Sequence, residues 1–137
     1  MTMKNFSRLA IAGAVFAIAS VAAQAQTMRF SVPFKFHADS QVMPAGEYEV
    51  RIDQARHQIR VQSLNGNASG FLNVKTNIDA QGDTQGRLVF RTYGTSYFLH
   101  QVKPRANEGV ELFTSKAERE VARTSPVRET AVSEGTN

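Results

Sequence analysis

Apolar side chains recur at every second position along much of this chain, and that period fits a strand with one buried face. Phe30, Val32, Phe34 and Phe36 share one parity, while Arg29, Ser31, Lys35 and His37 take the other. Tyr48, Val50 and Ile52 alternate with Glu47, Glu49 and Arg51, and Ile59 and Val61 keep the same rhythm. A helix would scatter such residues around its circumference, whereas a strand collects them on one side. The spacing predicts strands over 28–37, 47–52 and 58–62, and another over 70–78, where Leu72, Val74, Thr76 and Ile78 share a parity. Two aromatic-rich arms, 87–93 and 97–103, flank Gly94-Thr95-Ser96 and predict a hairpin. Both of its faces carry apolar groups, which predicts a central position.

The residues between these runs are turn formers. Met43-Pro44-Ala45-Gly46 suits a type I turn, and Asn65-Gly66 is a turn dipeptide that tolerates positive φ. Pro33 lies on the outward parity and has no N–H to donate, so the first strand is expected at an edge or with a bulge there. The polar, glycine-bounded stretch 80–86 reads as a mobile loop. Ser115-Lys116-Ala117-Glu118 has the spacing of a capping box and starts a short helix. Ala117 and Val121 are expected to face the sheet, with Leu112 and Phe113 packing just before the cap. The expected fold is all-β, a mainly antiparallel meander of about six strands with one short C-terminal helix. The pattern leaves a small barrel and a sandwich open.

Residues 1–25 read as a cleaved signal peptide. Lys4 and Arg8 form a basic start, an apolar run extends over 9–21, and Ala23-Gln24-Ala25 supplies a small-x-small cleavage site. The run is shorter than the roughly 20 residues needed to cross a bilayer, so the processed chain is not expected to span one. Residues 26–123 are expected as a single β-rich domain and 124–137 as a flexible polar tail. The formal net charge of +4 includes both basic residues of the signal. What remains is nearly neutral, with arginines interleaved among carboxylates, so no nucleic-acid partner is expected. With no cysteine, neither a lipid anchor nor a disulfide is available, and packing alone must hold the fold. A soluble periplasmic or secreted location follows.

Several blocks carry a resemblance. Residues 30–36 (FSVPFKF), 43–50 (MPAGEYEV), 88–94 (LVFRTYG), Tyr97-Phe98-Leu99 and 115–122 (SKAEREVA) resemble an uncharacterised family of small exported β-rich proteins of environmental Gram-negative bacteria. The resemblance spans nearly all of the processed chain. It implies export and a β-rich fold, and it carries no catalytic residue across.

The side chains that could do chemistry are dispersed. His37, His57 and His100 show no His-x-His or His-x-x-x-His spacing, so no metal site is expected. No Gly-x-Ser-x-Gly elbow occurs, and Glu47 and Glu49 share a strand face that alternates with apolar residues and points to solvent. No catalytic residue and no cofactor are therefore expected. Two aromatic clusters remain, Phe30, Phe34 and Phe36 on the first strand and Tyr93, Tyr97 and Phe98 around the last hairpin. If a barrel encloses a lumen, these six line a site for a small apolar ligand. With so few strands a filled interior is the favoured expectation. The reading is an exported, non-enzymatic domain that engages an unknown protein or envelope partner, with apolar-ligand binding as the alternative.

Overall fold

The computed structural model describes residues 27–66, 68–79, 85–105 and 108–135. The expected signal segment and most of the 80–86 loop lie outside the described residues. In chain order the elements are β1 (Thr27–Val32), β2 (Phe36–Ala38), β3 (Gln41–Met43), β4 (Gly46–Asp53), β5 (Gln58–Ser63), β6 (Ser69–Ile78), β7 (Arg87–Tyr93), β8 (Ser96–Lys103), β9 (Gly109–Leu112), α1 (Lys116–Ala122) and β10 (Arg128–Ser133). The protein is all-β with one short helix, as its periodicity predicts.

Two layers stack face to face. In the first, β1, β4, β5 and the start of β6 pair antiparallel in that order. In the second, the end of β6 pairs β9, followed by β8, β7 and β10, again antiparallel. β6 belongs to both layers, because Ser69–Asn73 pair with β5 and Val74–Ile78 with β9. A register shift between Val74 and Thr76 marks the bend, as bulges do at sheet corners. The β2–β3 hairpin joins the second layer through a parallel contact between His37 and Phe98.

The facing surfaces hold the core. Phe30, Tyr48, Val50, Ile59 and Val61 from one layer meet Leu88, Phe90, Leu99, Val102, Val110 and Leu112 from the other. Phe36 stands between them, edge-on to Tyr48 at 5.2 Å and to Phe90 at 5.3 Å. Tyr48 satisfies its hydroxyl by donating to the Pro44 carbonyl, which ties the Met43–Gly46 turn to the core.

Four sequence expectations are corrected. The first run is not one strand: the chain breaks over Pro33–Lys35, so β1 ends at Val32 and β2 joins the other layer. The sheet is open, not a closed barrel. Among the described residues two of its edge strands, β1 and β10, approach each other at a Phe30–Glu134 bridge and a Gly135 N–H donated to the Arg29 carbonyl at 3.1 Å. The expected flexible tail holds β10, paired with β7 over its whole length. The helix turns Glu118, not Ala117, to the sheet, and Phe113 is exposed.

The tight β7–β8 connection makes a testable demand. Tyr93 pairs with Ser96, leaving two residues in the loop, and the first of them, Gly94, has φ 61°. A β-branched side chain is strained there. Gly94→Val is expected to cost about 1–2 kcal/mol, read from urea unfolding. Gly46→Ala, where an added methyl meets nothing within 4 Å, should change stability by less than about 0.5 kcal/mol.

Candidate functional site

The β7–β8 ribbon is covered on both sides. Leu88, Phe90 and Leu99 face the core, while Val89, Tyr93 and Phe98 are buried outside the main cluster. The pairing passes from Val89–Gln101 to Phe90–Leu99, so the register skips His100. Such a bulge re-aims a side chain, and His100 points to the outer face, where Nε2 lies 3.2 Å from Oε1 of Glu111.

Helix α1 lies over this face. Its start is fixed by Ser115, whose Oγ accepts the Glu118 N–H at 3.2 Å, a standard N-cap bond. The Glu118 carboxylate is turned inward. It is 3% exposed, faces Nη1 of Arg91 at 3.8 Å and accepts from the Thr114 side chain. Arg91 also bonds the Tyr93 hydroxyl. The group forms a buried polar cluster around one arginine.

Its electrostatics follow from burial. Burial raises the Glu118 carboxyl, opposed by Arg91 and the Thr114 hydrogen bond. Burial raises the Tyr93 phenol, reinforced by Glu118. Burial lowers His100, with Arg91 adding to the effect and Glu111 and Glu129 opposing it. Because Glu118 titrates higher in the folded state, its contribution is present at low pH and is lost as pH rises through its folded pKa. Removing Arg91 deepens that loss by leaving a buried carboxylate unpaired. Arg91→Met is therefore expected to cost about 2–3 kcal/mol near neutral pH, and measurably less in urea titrations at pH 5. An equal cost at both pH values would contradict the pairing.

The six aromatics expected around an apolar ligand are split among three places. Phe30 and Phe36 are sealed in the core. Phe34 and Tyr97 stack at the core's end, centroids 3.8 Å apart, with Phe34 edge-on to Phe90 at 5.0 Å. Tyr93 and Phe98 lie on the outer face, where Phe98 stacks on His37 at 4.4 Å. The six do not line one lumen, because alternation sends Tyr97 and Phe98 to opposite faces of the same strand.

The remaining candidates are also placed. His37 and His100 border one cavity of about 10 Å³ together with Asp39 and Glu118, a meeting the histidine spacing did not reveal. Among the described residues no three such side chains are arranged to hold a metal ion. His57 sits in the exposed β4–β5 turn with φ 52°. Glu47 is exposed and Glu49 pairs with Arg51 at 3.6 Å, both on the outer face of β4. A larger groove, about 650 Å³, lies where the β7–β8 hairpin turns and the chain enters β10. Of its lining, only Tyr97 is a candidate from the sequence, because five of the eight residues come from the polar stretch 125–130.

Large apolar side chains also stand outside the fold. Val42 is 53%, Phe113 59% and Phe71 63% exposed. Val42 is opposite His37 in the β2–β3 pair, and Phe113 borders the same small cavity as His37 and Phe98. Among the described residues no helix is long and apolar enough to cross a membrane. Compared with known proteins, the chain matches no family model, no curated protein and no solved structure.

Proposed function

We propose that this protein is an exported, non-enzymatic domain that acts by binding a protein partner of the cell envelope. The observation that supports the reading is an outward apolar patch beside an edge strand. Val42, His37 stacked on Phe98, and Phe113 are neighbours on one side of the second layer. β3 ends the strand path there, with β2 as its neighbour on one side. A terminal strand with an exposed apolar residue is a template for an added strand. The partner surface is therefore an extended polypeptide segment that pairs with Gln41–Met43 and covers Val42. Export rests on the basic start, apolar run and Ala23-Gln24-Ala25 of the first 25 residues.

The interior does not favour the apolar-ligand alternative, since Phe36, Tyr48 and Phe90 have no exposed surface and fill the space between the layers. Crosslinking of intact host cells followed by fractionation tests the proposal. A discrete complex in the envelope fraction is expected; a free monomer in every fraction would contradict it.

A further inference from the structure

We propose that the groove beside Gly94 is a binding site for a saccharide of disaccharide size. This site lies on another part of the protein from the Val42 patch and does not depend on the partner proposed above.

Strand register builds the groove. Arg128 on β10 is opposite Thr92 on β7, and Thr92 is opposite Tyr97 on β8. Directly opposed residues share a face, so a guanidinium, a hydroxyl and a phenol ring stand in one row across three strands. At about 4.8 Å per strand the row spans roughly 10 Å, which is the length of two linked pyranose rings. Thr130 adds a second hydroxyl, its Oγ1 lying 3.1 Å from that of Thr92. Ser125 and Pro126 form the wall where the chain approaches β10.

The aromatic member is held in place from behind. Phe34 stacks on the Tyr97 ring and is wedged against Phe90, so the ring is fixed before any ligand arrives, and preorganisation favours affinity. The volume of about 650 Å³ falls within the roughly 300–1,000 Å³ of small-molecule sites, which recur at the mouths of β folds.

The lining chemistry selects the ligand class. A wholly apolar ligand would desolvate the Arg128 guanidinium without giving it a partner, which is unfavourable. A phosphate-rich ligand would meet a single arginine in the lining. A sugar offers an apolar C–H face to an aromatic ring and hydroxyl edges that both donate and accept. Arg128, Thr92 and Thr130 match those edges.

The test is an amide NMR titration of the processed chain with cellobiose, maltose, chitobiose and digalacturonate, and with inorganic phosphate. The sequence has no tryptophan and three tyrosines, of which Tyr48 and Tyr93 are buried, so tyrosine fluorescence gives a second readout from Tyr97. Saturable shifts at Thr92, Tyr97 and Thr130 with at least one saccharide are expected. Arg128→Gln and Thr130→Val should each weaken binding about tenfold with otherwise unchanged spectra, while Arg56→Gln in the distant turn should not. No saturable shift at millimolar saccharide, shifts confined to another face, or a response to phosphate alone would each overturn the proposal.

Discussion

Deleting residues 126–137 is expected to destabilise the protein severely, although the composition of that stretch resembles a dispensable tail. The deletion removes β10, whose six residues pair with Arg87–Thr92. At about 1 kcal/mol net per hydrogen bond, the lost ladder is a large share of the roughly 5–15 kcal/mol that holds a domain together. The seam is lost with it. Glu134 donates its N–H to the Gly86 carbonyl at 2.7 Å and its carboxylate faces Arg105 at 3.9 Å. Gly86 leaves room for this contact: a Cβ there would lie 2.9 Å from the Glu134 carboxylate and 3.2 Å from the Met28 sulfur. Val132, packed against the core, would be removed as well. Urea unfolding followed by circular dichroism should show the truncated chain largely unfolded or its midpoint greatly lowered. An unchanged midpoint would mean that the stretch is the free tail its composition suggests.

Phe90→Ala should cost about 3–5 kcal/mol, the usual penalty for emptying a buried aromatic site. Phe90 has no exposed surface and touches Phe34 and Phe36 edge-on, and Phe36 in turn meets Tyr48 of the facing layer. Rings in this geometry gain beyond their buried area. The measurement separates a filled interior from a lumen that holds a ligand, because a residue lining an open lumen loses less packing when truncated. A loss below about 1 kcal/mol would indicate that the two layers do not close on Phe90.

The sequence was most legible where one face is buried and the other wet. β4 is the example: Tyr48, Val50 and Ile52 are buried and the residues between them are not. Pro33, Gly94 and the Ser115 cap were readable for a related reason, since each acts through local backbone chemistry. What escaped notice depends on partners distant in sequence. β10 has no apolar stripe of its own beyond Val132 and is a strand because β7 offers it an edge. β3 and β9 are too short, at three and four residues, for a period to show. Glu118 is the clearest case at the candidate site. A glutamate in a first helical turn is ordinarily a surface residue, and Arg91 together with the Thr114 side chain makes its burial tolerable. The row Arg128, Thr92, Tyr97 is likewise invisible until the register of three strands is known.

The core is filled, α1 closes the outer face, and an apolar patch stays exposed beside β3, which is the surface proposed above for the partner. A photo-crosslinking residue substituted at Val42 in the native host tests this most directly, with the same residue at the exposed Arg56 as a control. A discrete adduct with one envelope protein from position 42 and none from position 56 is the predicted result. Identical, adduct-free protein from both positions would contradict the account.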